Sequence, residues 1–277
     1  MKAFNNKVAI VTGAASGIGK SLCFALARSK AVVVAADINE TGAAETASVL
    51  TSQNFRCEPA GLDVTNRENV NALVDRVAAQ YGRLDFMFNN AGVVVFADAR
   101  DFSDEDWRRQ LDVNLHGVIH GTMAAYKKMT EQGFGHIVNT ASMAGLTAAT
   151  PLAPYTATKF GVVGLSSTLR AEGYDLGVRI SVVCPGLIRT GMFDCPILNV
   201  NKDALIDQIP PGAVWTPDRA AHYILRKVAK NSGYIVFPFY ARFFWWLERL
   251  SPRISFLFRL NMIRKFRRIR KDPSCQS

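Results

Sequence analysis

Seven short runs dominated by apolar residues, separated by stretches of helical spacing, constrain this chain more than any other feature. The runs are Lys7–Val11, Ala31–Ala36, Phe55–Ala60, Leu84–Asn89, Gly135–Thr140, Arg179–Cys184 and Tyr234–Phe237. Between them lie helical patterns such as Ile18–Ser29, Arg67–Gln80, Trp107–Lys128, Pro154–Tyr174 and Pro217–Lys230. A strand that is apolar throughout must be covered on both faces, and strand–helix alternation supplies the cover. The pattern predicts an α/β fold, a doubly wound parallel sheet of about seven strands with helices on both faces. Residues 1–237 read as one Rossmann-type domain, since no linker or repeat interrupts them.

Charge divides the chain differently. From Met1 to Tyr240 there are 23 Lys and Arg against 21 Asp and Glu, but from Ala241 to Ser277 there are 10 against 2. Of the net charge of +10, +8 therefore resides in residues 238–277, a basic, aromatic-rich extension, and the nearly neutral body gives no support for nucleic-acid binding. No apolar run is long enough for a spanning helix, and the start MKAFNNKVAIVTG has no signal region, so a cytoplasmic protein is expected. Five cysteines without a CxxC pair read as reduced thiols. Four histidines, lacking metal-ligand spacing, give no reason to expect a metal.

The chemistry gathers at strand ends. Thr12–Gly19 (TGAASGIG) follows the first strand and opens the first helix, where Gly13, Gly17 and Gly19 would let backbone approach a pyrophosphate and the helix N–H groups face it. Ser16 and Ile18 belong to the same turn. Asp37 ends the second strand, placed to accept both hydroxyls of an adenosine ribose and to repel a 2′-phosphate. Neither Ser16 nor Ile38 is basic, so NAD(H) is expected rather than NADP(H). The plainer reading of Asp37 is a cap for the next helix. Tyr155 and Lys159 are one helical turn apart, and an ammonium beside a phenol should lower its pKa enough for proton transfer near neutrality. Ser142 ends a strand at the sheet's carboxyl edge, where its hydroxyl could hold the same substrate oxygen.

With these motifs in this order, the chain resembles the short-chain dehydrogenase/reductase superfamily in its compact single-domain branch, over roughly residues 5 to 237. Beside the glycine turn, Asp63-Val64 resembles the pair that contacts adenine. Asn89-Asn90-Ala91-Gly92 resembles the segment lining the cofactor, and Asn114 the helix asparagine that extends a proton relay through the lysine. Ser142, Tyr155 and Lys159 match the catalytic trio. Pro185-Gly186-Leu187-Ile188-Arg189-Thr190 matches the segment that holds the nicotinamide carboxamide. The resemblance implies reversible hydride transfer, with Tyr155 moving the alcohol proton, Lys159 on the nicotinamide ribose and Ser142 on the substrate oxygen. It also implies a homodimer or homotetramer.

Between Thr190 and Trp215 the family places a substrate lid, and Met192 and Phe193 would give it an apolar inner face. With Val93–Phe96 and Ala144–Leu152 this favours a small lipophilic alcohol or ketone, such as a steroid, retinoid or lipid-like compound. A ketoacyl- or polyol-type reductase remains open, as does a cofactor-sensing protein that binds a membrane or partner. In the extension, Ile254, Leu257, Phe258, Met262, Phe266 and Ile269 form an apolar stripe among arginines, after the aromatic run Phe243–Trp246. Residues 242–271 therefore suit a membrane interface, a neighbouring subunit, or a nucleic-acid or protein partner.

Overall fold

The computed structural model describes residues 1–190, 196–199 and 213–270. Among them run β1 (Val8–Thr12), α1 (Gly17–Arg28), β2 (Val32–Asp37), α2 (Glu40–Ser52), β3 (Cys57–Gly61), α3 (Arg67–Tyr81) and β4 (Phe86–Asn89). Then come α4 (Asp104–Leu111), a π-helical turn (Asp112–His116), α5 (Gly117–Gln132), β5 (Gly135–Thr140), α6 (Ala153–Glu172) and β6 (Val178–Pro185). The order ends with α7 (Pro217–Val228), β7 (Tyr234–Phe237), α8 (Phe239–Leu250) and α9 (Pro252–Arg268).

All seven strands pair in parallel, in the order β3-β2-β1-β4-β5-β6-β7. Along β1 the pleat sends Ala9 and Val11 to one face, with Leu22 and Leu26 of α1 and Ile224 of α7. Val8 and Ile10 go to the other, with Val74 of α3, Met129 of α5 and Leu169 of α6. Both faces of the strand are thus buried, and that is why its sequence reads as an unbroken apolar run.

The expected helix over Trp107–Lys128 is continuous but not uniform. The Asp112–His116 turn is π-helical and separates α4 from α5, with Asn114 fully buried inside it. Chain direction across the sheet reverses between β1 and β4, which opens a crevice beyond their carboxyl ends. Thr12 and Gly13 leave β1 there, beside Asn89 and Asn90 leaving β4. The fold gathers its chemistry at this point.

Candidate active site

The glycine turn is shaped first by the protein itself. Gly13 and Gly17 have φ of 69° and 54°, the left-handed region that side chains resist. A β-carbon on Gly19 would lie 2.0 Å from the Gly13 carbonyl oxygen, and one on Gly13 would lie 3.0 Å from the Ala91 Cα. The glycines therefore let α1 seat against β1 and β4, as well as leaving room above. Ser16 caps α1 in extended backbone without a side-chain cap bond. With Ile18 beside it on the first turn, the helix start can receive an anion.

Thr12 is a residue that motif reading passed over. Its hydroxyl oxygen accepts the N–H of Asn90 at 2.9 Å and of Ala91 at 3.1 Å, while Asn90 Nδ2 donates to the Thr12 carbonyl at 3.1 Å. The turn and the Asn90-Ala91-Gly92 segment are thereby tied together. Below them is a buried polar network. Asn89 Nδ2 donates to Thr122 and to Asn139, whose own amide donates to Ser166. Only three-dimensional pairing of β4, β5, α5 and α6 brings these four residues together.

Asp37 stands at the end of β2, with Oδ2 accepting from Ala15 N–H and Oδ1 from Asn39 N–H, both at 2.9 Å. The cap of α2 is Asn39, whose side chain accepts from Gly42, so Asp37 is not the helix cap. Its carboxylate borders the glycine turn with each oxygen retaining a second lone pair. Asp63 accepts from the Thr65 N–H and hydroxyl, and the Val64 carbonyl meets His120 Nδ1 at 3.0 Å. On the far side, Pro185 ends β6 and Gly186 donates its N–H to the Phe237 carbonyl at 2.7 Å. Ile188 bridges to Trp215, and Thr190 abuts Gly17, where a β-carbon would meet its methyl at 3.1 Å. The two glycine-bearing segments thus face one another across a cradle that suits a dinucleotide.

Ser142 follows β5 and accepts the Ala144 N–H at 3.1 Å, so its own proton remains to be donated. The first turn of α6, entered through Ala153 and Pro154, brings up Tyr155, and the next turn Lys159. They are 6% and 3% exposed. Lys159 Nζ donates to the Thr140 carbonyl at 3.0 Å and lies 5.4 Å from the Tyr155 ring centre. Asn114 is held twice by Val93, accepting its N–H and donating to its carbonyl, both at 2.8 Å. A β-carbon at Gly92 would lie 3.0 Å from Asn114 Oδ1 and 3.7 Å from Lys159 Nζ, so these groups flank one glycine.

The electrostatics differ from the sequence expectation. Burial pushes the Tyr155 phenol up to about 12, opposed by the Ser142 hydroxyl, and burial also pushes the Lys159 ammonium down to about 8. At about 8 the ammonium still carries its charge at neutral pH, but in the protein alone burial of the phenol is the dominant influence on Tyr155. Tyr155 stands as a neutral acid at neutral pH, ready to donate. Around it, Val94 and Ala144 form an apolar cluster with Phe96, Ala149 and Leu152 packed against them. Met192 and Phe193 lie outside the described residues. Among those described, no three His, Cys, Asp or Glu side chains gather to hold a metal.

Comparison with known proteins reaches the same place. The family model for short chain dehydrogenases matches residues 7–195. D-threitol dehydrogenase of Mycolicibacterium smegmatis is 39% identical over 217 residues, covering 78% of this chain and 84% of the relative. 3beta-hydroxysteroid dehydrogenase 2 of Eggerthella lenta is 37% identical over 188 residues, 67% and 72% of the two chains. The crystal structure of a short chain dehydrogenase/reductase from Burkholderia phymatum in complex with NAD superposes with a TM-score of 0.83 at 28% identity, covering 92% of this chain and 97% of that one. With its seven-stranded parallel sheet, its cradle at the switch point and these relatives, the chain belongs to the short-chain dehydrogenase/reductase family of nicotinamide-dependent oxidoreductases.

Proposed function

We propose that the protein is an NAD(H)-dependent oxidoreductase that interconverts a secondary alcohol and a ketone, acting on a lipophilic substrate. The observation that carries this reading is the convergence of Ser142 on the buried Tyr155–Lys159 pair beside the cradle. In reduction Tyr155 gives its phenolic proton to the carbonyl oxygen, which Ser142 holds by its hydroxyl, and in oxidation Tyr155 takes the proton back. Lys159 orients the nicotinamide ribose, and Asn114 extends the proton path beyond Gly92. Gly13, Ser16, Gly17, Ile18 and Gly19 hold the pyrophosphate side. Asp37, Asp63 and Val64 hold the adenosine side, and Asn90, Ala91, Gly92, Pro185, Gly186, Ile188 and Thr190 the nicotinamide side. The bound nicotinamide supplies the hydride chemistry. No metal enters this scheme.

Preference for NAD rests on Asp37, because its carboxylate would repel a 2′-phosphate and the adjacent Ile38 is neutral and largely exposed. Preference for a lipophilic substrate rests on the wall of Val94, Phe96, Ala149 and Leu152 beside Tyr155. A polyol-type activity is the second reading, since the relative from Mycolicibacterium smegmatis is a D-threitol dehydrogenase. We further read the protein as a cytoplasmic homodimer or homotetramer, with residues 242–271 against a membrane. Absorbance at 340 nm tests the core of this, with steroidal and long-chain secondary alcohols set against polyols, each with NAD and NADP. Efficient NAD-linked turnover of the lipophilic set is expected. Faster turnover of polyols would replace the substrate reading, and equal use of NADP would remove the role given to Asp37.

A further inference from the structure

Helix α9 is packed inside out, beside α8, which rests Tyr240, Ala241 and Trp245 on the core. On α9, the groups turned toward the body are Ser255, Arg259 and Phe266, followed by Arg270 just beyond the helix. Arg267 Nε donates to Asp98 at 2.7 Å, and Asp98 is fully buried. Arg270 grips Asp101 with both Nε and Nη2, at 2.8 and 2.6 Å. Arg259 and Ser255 meet Glu248 of α8. Of the apolar stripe expected from sequence, Phe266 alone is buried, at 2% exposure, whereas Ile254, Leu257, Phe258 and Met262 remain exposed. On α8 the same is true of Phe239, Phe243, Trp246 and Leu250, which follow helical spacing. Trp246 and Leu250 are 61% and 62% exposed.

A helix folded onto a soluble body ordinarily buries its apolar stripe. This pair leaves most of its apolar groups uncovered, and α9 is attached chiefly through arginines. Five further cations, Arg249, Arg253, Arg264, Lys265 and Arg268, are exposed around the apolar surface, and α9 has no acidic residue. We propose that this surface docks on an anionic lipid bilayer, with the aromatic and aliphatic side chains among the headgroups and the cations on lipid phosphates. Charge complementarity selects this occupant. A two-fold contact with a second copy would set the arginine-rich patch against itself. Among the described residues no helix is long and apolar enough to cross a membrane, so the contact lies in the interface.

The attachment points give the docking a purpose, and here the proposal rests on the lipophilic-substrate reading. Asp98 and Asp101 follow directly on Val94 and Phe96 in the loop after β4, and Thr150, which donates to the Arg259 carbonyl, precedes Leu152. The helix is thus fastened to both stretches that wall the space beside Tyr155. Docking would bring that wall to the lipid in which its substrate dissolves.

Vesicle flotation of the full chain tests this, using phosphatidylcholine alone and a phosphatidylcholine–phosphatidylglycerol mixture. The wild type should partition onto the mixed vesicles at least about tenfold more strongly. Leu250→Ser with Leu257→Ser, and separately Arg264→Gln with Arg268→Gln, should lose most of that binding while circular dichroism and solution mass stay unchanged. Equal partition onto both vesicle types, or none, would overturn the proposal. So would a drop in solution mass on the leucine changes, which would make the patch a contact between copies. Preference for a long-chain secondary alcohol over a polyol, measured without vesicles, separates docking from the substrate reading. That preference persists without flotation if only docking fails, and is missing despite flotation if only the substrate reading fails.

Discussion

The strand-end site and the C-terminal helix pair solve opposite problems with the same residue types. At the site, polar groups are taken out of water and each is given a partner, as in the Asn89–Thr122–Asn139–Ser166 network. In the helix pair, apolar groups are left in water while arginines are turned inward onto Asp98 and Asp101. Burying partnered polar groups fixes geometry, because a shifted amide would leave a donor or acceptor unsatisfied. Exposing large apolar groups gains nothing within one molecule and is explained by what the surface meets.

Four measurements would break or sharpen this contrast. The largest effect belongs to Tyr155→Phe, which should lower kcat by roughly 10² to 10⁴. NADH affinity by fluorescence titration should hardly change, because the phenyl ring keeps the packing. Substantial residual turnover would deny the phenol its role. Next is acid stability. Burial holds His136 neutral down to about pH 3, with Ser181 at 2.8 Å, whereas an unfolded histidine protonates near 6.5. Between these values the unfolded chain binds the extra proton, so stability is complete above pH 6.5 and is lost as pH falls toward 3, by on the order of 4 kcal/mol. Denaturation of the wild type and His136→Asn across that window should show a flatter profile for the variant.

Smaller still, Asn139→Leu should cost about 2–4 kcal/mol, since the Asn89 and Ser166 side chains lose a partner in the dry interior. A urea midpoint close to wild type would mean that the network contributes little. Least of all, Leu257→Ala should stay within about 0.5 kcal/mol in the same assay, because its side chain is 56% exposed. A large loss would show that a copy of the chain already covers that surface.

What the sequence made legible was local in origin. Strand runs, the glycine turn and the one-turn spacing of Tyr155 and Lys159 are all set by near neighbours, and each has its counterpart in the structure. The rest depends on pairing across long separations. Thr12 binds Asn90 and Ala91 across nearly eighty residues, and Arg267 reaches Asp98 across 169. Periodicity alone cannot show that an arginine has a buried carboxylate waiting for it, so the expected apolar stripe does not foretell which side faces out. The phenol's pKa follows the same rule: spacing reveals the neighbouring amine, but the burial that pushes Tyr155 up emerges only from the complete packing.

The turn at Asp112–His116 winds one surplus residue into an otherwise continuous rod. Because each residue rotates a helix by about 100°, everything beyond the insertion is out of phase with everything before it. Gln110, ahead of it, can therefore hold the Val95 N–H in the loop after β4, while Thr122, beyond it, points down into the sheet's amide network. One rod addresses two audiences, and the surplus residue is the gear between them.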